Sequence, residues 1–264
     1  MASPHRAGNS LNNRNSAVLP KLDLDRLDGP KPIKSQFINR ILSALPKLDL
    51  DRLNGQLKPI NFNQHDTLSE AGEESRYVYF LEDGIASVVS ELKGGSTVEV
   101  GLVGREGLVG LPGVMGTGSM PFHCFIQIAG HGYRIKTEIV AQLFQRSSNF
   151  RVRTLNLLHA QLVQTAQTAA CNRRHEVTER LARWLLSCRD RSDSDEIKLT
   201  QEFLGQMLGA PRTTVTLAAT KLQNYELIEY SRGSVRILNQ KRLEKAACEC
   251  YCLIRDEFDR LGVM

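Results

Sequence analysis

Hydrophobic and polar residues alternate with a period of two over much of the first half of the chain, and the period becomes helical after it. Between about residues 59 and 135, short runs rich in β-branched and aromatic residues are separated by glycine-containing segments. Short, evenly spaced strands of this kind predict a compact β-roll or barrel. The predicted strands cover residues 77–81, 85–89, 97–103 and 125–129, and the predicted turns lie at 83–84, 94–95, 104–107 and 130–132.

A helical period begins near Thr137 and continues to about Asp190, with a predicted break at residues 147–149. Leu157 broadens the apolar surface of this segment toward a second face. Two interpretations of the apolar line fit the spacing: a coiled-coil contact between two copies of the chain, or packing of the helix on its own domain. The apolar line consists of Leu155, Leu158, Leu162 and Ala166.

Residues 199–222 have the pattern of two short helices joined by a glycine turn, which is the layout of a DNA-binding helix-turn-helix. Thr200 is a suitable N-cap for the first helix. Gly209 tolerates the left-handed conformation that ends a helix, and Pro211 stands where the second helix starts. The apolar stripe of the first helix consists of Phe203, Leu204, Met207 and Leu208.

The second of these helices has an inward face formed by Val215, Ala218 and Leu222. An exposed helix start that carries an arginine and several hydroxyls suits the major groove of DNA. The following residues, 227–238, predict a two-stranded hairpin or wing, in which Arg232 and Arg236 contact phosphates. The outward face consists of Arg212, Thr213, Thr216, Leu217, Thr220 and Lys221.

The distribution of charged residues supports the prediction of a DNA-binding helix-turn-helix and wing. The whole chain carries a formal net charge of +5, whereas residues 200–242 alone carry +3, followed by a net negative C-terminal segment. No stretch approaches the roughly 20 apolar residues of a membrane span, and the first 18 residues lack the apolar core of a signal peptide. We therefore expect a cytoplasmic protein whose six cysteines are reduced thiols.

The N-terminal extension contains a duplicated segment. Residues 1–18 are polar and predict disorder. The segment at residues 19–27 recurs without change at residues 45–53, and a single pair does not make a repeat architecture. We interpret the second copy as structural, because it leads into the predicted β-roll, and the first as an appendage.

The order of β-roll, long helix, helix-turn-helix and wing resembles the Crp/Fnr superfamily of bacterial transcription regulators from about Leu45 to the C-terminus. The segments that carry the resemblance are 78–81 (VYFL) with Gly84, 101–112 (GLVGREGLVGLP), 170–175 (ACNRRH), 180–186 (RLARWLL) and 199–222. The resemblance implies an α+β fold with a β-roll like the cyclic-nucleotide-binding jelly roll, a long dimerisation helix and a C-terminal winged helix-turn-helix. Together with the polar N-terminus and the duplicated segment, it divides the chain into an extension over 1–36, a β-roll with flanking helices over 37–147, a dimerisation helix over 148–172, a winged helix-turn-helix over 173–242 and a C-terminal helix over 243–264.

The resemblance also implies roles for single residues and for partners. Arg212 matches the family's guanine-contacting arginine and Thr214 a phosphate-contacting threonine, whereas Thr213 and Leu217 depart from the cyclic-AMP-responsive members. The operator sequence of those members is therefore not transferred. The implied partners are a second copy of the chain, a two-fold-symmetric site in double-stranded DNA, and RNA polymerase.

The implied effector pocket includes Gly104, Glu106 and Gly107. Cyclic-nucleotide-binding members have an arginine for the cyclic phosphate, yet no Lys or Arg occurs between Gly107 and Tyr133. Loss of that charge-assisted partner weakens binding by about two decades, so we expect no ordinary cyclic AMP or GMP binding. Iron–sulfur sensing is not expected either, because that branch uses cysteines near the N-terminus and the first cysteine here is Cys124.

Other motifs have a structural interpretation that we prefer. The run from Cys248 to Cys252 invites a metal or thiol-switch hypothesis, but on one helix Cys248 and Cys252 share a face and Cys250 does not. Cys171 and His175 fit helix packing better than a nucleophile pair, and His123-Cys124 with His131 would point to opposite faces of a strand. The glycine-rich run over 101–118 lacks a phosphate-loop lysine and predicts turns. We therefore expect no catalytic site, no metal site and no cofactor.

The sequence predicts a DNA-binding transcription regulator and not an enzyme. The alternative hypothesis is a small-molecule or redox-sensing module that acts through protein partners without binding DNA. A gel shift distinguishes the two, because only the first hypothesis predicts a retarded duplex at low salt.

Overall fold

The structure is a computed structural model that describes residues 37–93, 95–192, 194–199, 201–231 and 233–264. The predicted extension over 1–36, with the first copy of the duplicated segment, lies outside these ranges, as do Gly94, Asp193, Thr200 and Arg232. Within the described ranges, no helix combines the length and apolar character of a membrane span. The architecture is an N-terminal β-roll, a long helix and a C-terminal winged helix-turn-helix, which confirms the predicted α+β fold.

Two short helices precede the β-roll, α1 at Arg40–Ser43 and α2 at Lys47–Leu53. The buried side chain of Asn39 caps α1, because its amide oxygen accepts hydrogen bonds from two backbone N–H groups of the first turn. The second copy of the duplicated segment, residues 45–53, forms α2 and supplies buried leucines to the core. Its predicted structural role is therefore confirmed.

The strands of the roll are β1 Lys58–Phe62, β2 Thr67–Ser69, β3 Tyr77–Leu81, β4 Ile85–Glu91, β5 Thr97–Val103, β6 His123–Ile128 and β7 Gly130–Lys136. They pair antiparallel in two sheets with the orders β1-β7-β3 and β2-β6-β4-β5. The four predicted strands correspond to β3, β4, β5 and β6. The pattern did not predict β1, β2 or β7.

The predicted turn at residues 130–132 is wrong, because these residues begin β7. Gly132 pairs with Ile60 on one side and with Leu81 on the other. A Cβ atom on Gly132 would lie 2.2 Å from the carbonyl oxygen of Phe80. Glycine here therefore permits a close approach of backbones within a sheet, which a local pattern cannot distinguish from a turn.

The glycine-rich run over 101–118 contains a helix as well as a turn, so its interpretation as turns alone is wrong. Helix α3 spans Leu111–Met115 between Gly110 and Gly116, which both have left-handed backbone angles. The prediction is confirmed at residues 104–107, where the N–H of Gly107 donates to the carbonyl of Gly104 at 3.2 Å.

Three consecutive helices follow the roll: α4 Thr137–Arg146, α5 Ser148–Arg174 and α6 Val177–Ser192. The break predicted over 147–149 is confined to Ser147, because residues 148 and 149 already belong to α5. The Ser147 hydroxyl accepts a hydrogen bond from the N–H of Phe150 at 3.1 Å and caps α5. Only His175 and Glu176 separate α5 from α6. Helices α5 and α6 are thus joined by a connection of only two residues.

The C-terminal elements are β8 Glu196–Lys198, α7 Gln201–Leu208, α8 Arg212–Asn224, β9 Ile228–Ser231, β10 Ser234–Ile237, α9 Gln240–Ala246 and α10 Cys250–Arg260. The predicted wing is confirmed as the antiparallel pair β9–β10, and β8 extends it to the order β8-β10-β9. The predicted single C-terminal helix over 243–264 is wrong, because residues 247–249 separate α9 from α10.

One hydrophobic core is shared by the β-roll and the helix-turn-helix. It joins Ile85 and Leu102 of the roll to Trp184 on α6 and to Leu204 and Met207 on α7. A separate core fills the space between the roll, α5 and α10. Because buried apolar area is the main stabilising contribution, the helix-turn-helix elements are held against the roll by this packing.

Candidate functional site

The two helices of the helix-turn-helix are positioned by the residues that the sequence predicted. The apolar stripe of α7 is buried, and Gly209 ends that helix with φ +56°. Gly205 also has a role, because a Cβ atom there would lie 3.0 Å from the carbonyl oxygen of Ala210. Pro211 is the residue before α8 rather than its first helical residue. The turn is therefore tight, and glycine at 205 lets the two helices approach.

The inward face of α8 is buried as predicted, at Val215, Ala218 and Leu222. On the opposite face the hydroxyls of Thr216 and Thr220 each donate to a carbonyl one turn earlier, at 2.9 Å. The hydroxyl oxygen of Thr220 can also accept a hydrogen bond from a ligand. The residues of the predicted contact face are exposed at Arg212, Thr213, Leu217, Thr220 and Lys221, and half-buried at Thr214 and Thr216.

The wing presents Arg236 beside the helix-turn-helix. Its guanidinium lies 3.5 Å from the carboxylate of Glu196 on β8, and both side chains are exposed. Ser234 donates to the same carboxylate at 3.0 Å. An exposed ion pair of this kind is weak, so the guanidinium can exchange Glu196 for a phosphate. Arg232, the other predicted wing contact, lies outside the described residues.

A buried carboxylate holds α6, the helix before the helix-turn-helix, against the roll. Glu99 on β5 accepts hydrogen bonds from the indole N–H of Trp184 at 2.8 Å and from the hydroxyl of Ser87 at 2.8 Å. Burial raises the pKa of Glu99 to about 7, although both hydrogen bonds act in the opposite direction. Nearby, the guanidinium of Arg180 donates to the carbonyl of Leu208 and so satisfies the end of α7.

The predicted effector residues surround an ion pair inside the protein. The Glu106 carboxylate accepts from the backbone N–H of Gly104 at 3.0 Å and from Nε of Arg191 on α6 at 2.9 Å. Arg191 also donates to the side chain of Gln164 on α5 at 2.6 Å. At Gly107 an added Cβ would lie 3.1 Å from a methyl group of Leu157. An effector that uses Glu106 must therefore compete with Arg191.

Four cysteine and histidine side chains come together between α5 and the connection from α9 to α10. They are Cys171, His175, Cys248 and Cys250, and we call them the thiol–imidazole cluster. Cys248 precedes α10 and Cys250 begins it, so the prediction that Cys248 and Cys252 share a helix face is wrong. Cys252 is exposed and outside the cluster.

Electrostatics within the thiol–imidazole cluster favours one thiolate. The hydrogen bond from Cys248 lowers the pKa of Cys171, and the pKa of Cys248 is raised in turn by that hydrogen bond and by burial. The hydrogen bond to Cys171 also raises the pKa of His175. Sequence reasoning missed the cluster because it weighed each pair alone. The available signal was the occurrence of two short-spaced pairs, Cys-x3-His and Cys-x-Cys, on the same chain.

Two family models match the chain. The cyclic nucleotide-binding domain matches residues 59–147, and the Crp-like helix-turn-helix domain matches residues 179–246. These two regions coincide with the β-roll and with the segment from α6 to α9. No curated protein sequence matches the chain at a significant level.

Solved structures have the same fold at low sequence identity. FixK2 from Bradyrhizobium japonicum is 16% identical with a TM-score of 0.63, and 73% of this chain covers 98% of that one. A protein from Eubacterium rectale, described as a transcriptional regulator of the Crp/Fnr family, is 17% identical with a TM-score of 0.60, over 76% of this chain and 94% of that one. CLP from Xanthomonas campestris, a c-di-GMP-responsive global regulator, is 17% identical with a TM-score of 0.60, over 74% of this chain and 100% of that one.

The chain carries a cyclic nucleotide-binding domain followed by a Crp-like helix-turn-helix domain, in the fold that these regulators share. This protein therefore belongs to the Crp/Fnr superfamily of DNA-binding bacterial transcription regulators.

Proposed function

We propose that the protein is a homodimer that binds a two-fold-symmetric site in double-stranded DNA with sequence specificity, under the control of an effector. The observation that carries this proposal is the outward face of α8, which is open to solvent while its inward face is part of the shared core. A helix fixed in this way can enter the major groove without rearrangement of its own domain.

Sequence specificity is assigned to three side chains of α8. Arg212, in the first helical position, is suited to bidentate hydrogen bonding with a guanine. Thr213 offers a hydroxyl at the next position. Leu217 is 71% exposed, and an apolar contact with a thymine methyl group would cover this side chain.

Phosphate contacts are assigned to the remaining predicted residues. Thr214, Thr216, Thr220 and Lys221 lie along α8, and Arg236 lies on the wing. Such contacts set position and affinity but do not identify bases. Arg232 keeps its predicted phosphate role from the sequence alone.

A second copy of the chain is the partner that fits the outer face of α5. Leu157 packs in the protein's own core, whereas Leu155 is 47% exposed and Leu162 is 65% exposed. The exposed residues Val152, Leu155, Leu162 and Ala166 follow one another at intervals of three, seven and four positions. This is the spacing of the apolar seam of a coiled coil. The predicted line is therefore divided, since Leu158 is half-buried against the protein's own core.

Effector control is proposed to act through the turn at Glu106. The ion pair with Arg191 joins this turn directly to α6, so a ligand that displaced Arg191 would act on the helix-turn-helix domain. Cyclic AMP and cyclic GMP are not the proposed effectors, because the phosphate-binding arginine is missing from the expected segment. RNA polymerase as a further partner stays a prediction from the family.

The test is selection of binding sites from a pool of random duplexes, followed by gel shifts of the selected duplex at several salt concentrations. We expect a site with two-fold symmetry and half-sites about 10 base pairs apart, centre to centre, with affinity that falls steeply as salt increases. The absence of any retarded duplex at low salt would favour the alternative, a module that acts through protein partners.

A further inference from the structure

We propose that the thiol–imidazole cluster is a closed four-coordinate zinc site, with Cys171, His175, Cys248 and Cys250 as its ligands. Three of these side chains are buried and His175 is half-buried. The four candidate ligand atoms all lie within 4.8 Å of one another. The inference concerns the metal alone and does not depend on the proposed binding of DNA.

The distances fit a tetrahedron around one ion. The sulfur atoms of Cys171 and Cys248 are 3.5 Å apart, and the sulfur of Cys250 is 3.5 Å from Nδ1 of His175. These two pairs share no atom, so they correspond to opposite edges. With Zn–S bonds of about 2.3 Å and Zn–N bonds of about 2.0 Å, the edges of a tetrahedral site are about 3.5–3.8 Å. Small shifts of the side chains would close the remaining edges.

Residues around the ligands provide the supporting contacts that metal sites require. Nδ1 of His175 lies 3.5 Å from the sulfur of Cys250, while its Nε2 lies 3.2 Å from the carboxylate of Glu249. A carboxylate on the far nitrogen fixes the tautomer that leaves the other nitrogen free to coordinate. The amide of Gln167 donates to the sulfur of Cys250 at 3.1 Å, which stabilises a thiolate there.

The three sulfur atoms and one imidazole nitrogen of the cluster favour zinc over other metal ions. Thiolates are soft ligands, and three sulfurs with one imidazole in a tetrahedral arrangement are typical of structural zinc. Binding displaces the protons of those thiols that are still protonated, and no electron is transferred. A disulfide between Cys171 and Cys248 is the competing product, but it would need an oxidant and would leave Cys250 and His175 unused.

The zinc ion would link the end of α5 and its connection to α6 with the start of α10. Cys171 lies in the last turn of α5, His175 lies in the two-residue connection to α6, and the other two ligands surround the start of α10. An ion bound here would fix the connection between the long helix and the helix-turn-helix domain. Zinc occupancy would therefore stiffen the connection between α5 and α6.

Cobalt substitution is the direct test, because Co²⁺ adopts the same tetrahedral geometry and is coloured. The full-length protein is purified without a metal-affinity step, reduced with a phosphine, freed of metal with a chelator and titrated with Co²⁺ and then Zn²⁺. We expect saturation at about one ion per chain, thiolate-to-cobalt charge-transfer bands, and displacement by zinc with a Kd tighter than about 50 nM. Failure of the reduced protein to bind either ion stoichiometrically would overturn the proposal.

Variants locate the ion. Cys171→Ser, Cys248→Ser and Cys250→Ser should each lose most of the charge-transfer intensity and weaken zinc binding by at least about tenfold. Cys252→Ser is the matched control, since Cys252 is exposed and only two positions from Cys250. Its spectrum and affinity should equal those of the wild type. Loss of cobalt binding in this control, or its retention in all three ligand variants, would place the metal elsewhere and refute the assignment.

A measurement on the wild type covers the case in which a ligand variant fails to fold. Thiols are alkylated slowly with and without zinc, and each cysteine is followed by peptide mass spectrometry. Zinc should slow the reaction of Cys171, Cys248 and Cys250 at least about tenfold and leave Cys252 unchanged. Equal rates at the three cluster cysteines with and without zinc would overturn the site.

Discussion

Glu106 and Arg191 form an ion pair in which each side chain is only 2% exposed, with 2.9 Å between the carboxylate and Nε. The pair links the glycine turn of the β-roll to the last turn of α6. The sequence placed Glu106 in an effector pocket, and the effector role stays a prediction. In the structure the same carboxylate is a connection between the two halves of the protein.

Removal of one member of this pair should be strongly destabilising. Glu106→Ala or Arg191→Ala should each lower the free energy of unfolding by about 3–5 kcal/mol, because the remaining charge is buried without its counterion. Urea unfolding of the two single variants and the double variant measures the coupling. The double variant should lose much less than the sum of the single losses, and strictly additive losses would show that the two charges do not interact.

The environment of Glu99 predicts a pH dependence of the contact between the roll and the helix-turn-helix domain. Burial raises the pKa of Glu99 from 4.5 to about 7, so the folded protein holds the extra proton between these values and the unfolded chain does not. Stability from this group is therefore fully present below about pH 4.5 and is lost as the pH rises through 7. The expected loss is on the order of 3 kcal/mol.

Trp184 provides the readout for that titration, because it donates to Glu99 and is the only tryptophan of the chain. Its fluorescence should change with a midpoint near pH 7, in parallel with the stability measured in urea. Glu99→Gln keeps a hydrogen-bonding side chain but cannot ionise, so the midpoint should disappear in this variant. A persistent midpoint in Glu99→Gln would assign the titration to another group.

The seam on α5 predicts the oligomeric state. Leu162→Glu should convert the dimer to a monomer, because it places two carboxylates in the apolar contact between copies. Light scattering after size-exclusion chromatography measures the mass. Leu48→Glu is the matched control, since Leu48 on α2 is also 65% exposed and should leave the dimer intact. A monomeric wild-type protein at micromolar concentration would contradict the homodimer.

Arg212 should carry base specificity. Arg212→Ala should weaken binding to the selected site by about 1–3 kcal/mol and relax the preference at one base pair in each half-site. Arg146→Ala is the control, because Arg146 is an exposed arginine on α4, outside the helix-turn-helix and the wing. Unchanged affinity and specificity of Arg212→Ala in a binding-site selection would refute the assignment of α8 as the recognition helix.

Arg236 should carry affinity without specificity. Arg236→Ala is expected to weaken binding to all duplexes alike and to lower the slope of log affinity against log salt by about one. The sequence predicts the same result for Arg232→Ala. Gel shifts with the selected duplex and with a scrambled duplex measure both quantities, and a loss confined to the selected duplex would make Arg236 a base contact.

Local signals explain which parts of the fold were predictable. The helix-turn-helix follows from an apolar stripe and a left-handed position at Gly209, both of which are encoded within a few residues. Strand β7 was missed because the glycines at its start serve a contact with neighbouring strands. The thiol–imidazole cluster depends on a contact between Cys171 and Cys248, which are 77 positions apart, so only the packing of α10 against α5 brings it together.

The core that joins Trp184 and Met207 to Leu102 opposes separation of the helix-turn-helix domain from the roll. Any movement of the helix-turn-helix domain away from the roll would expose these side chains to water, at about 25 cal/mol for each Å² of apolar surface. An effector can drive that movement only if its preference for the separated arrangement exceeds this penalty. Under the proposed effector control, the packing of the two domains would set the effector concentration at which a promoter responds, and core substitutions far from the effector and the DNA would shift that concentration.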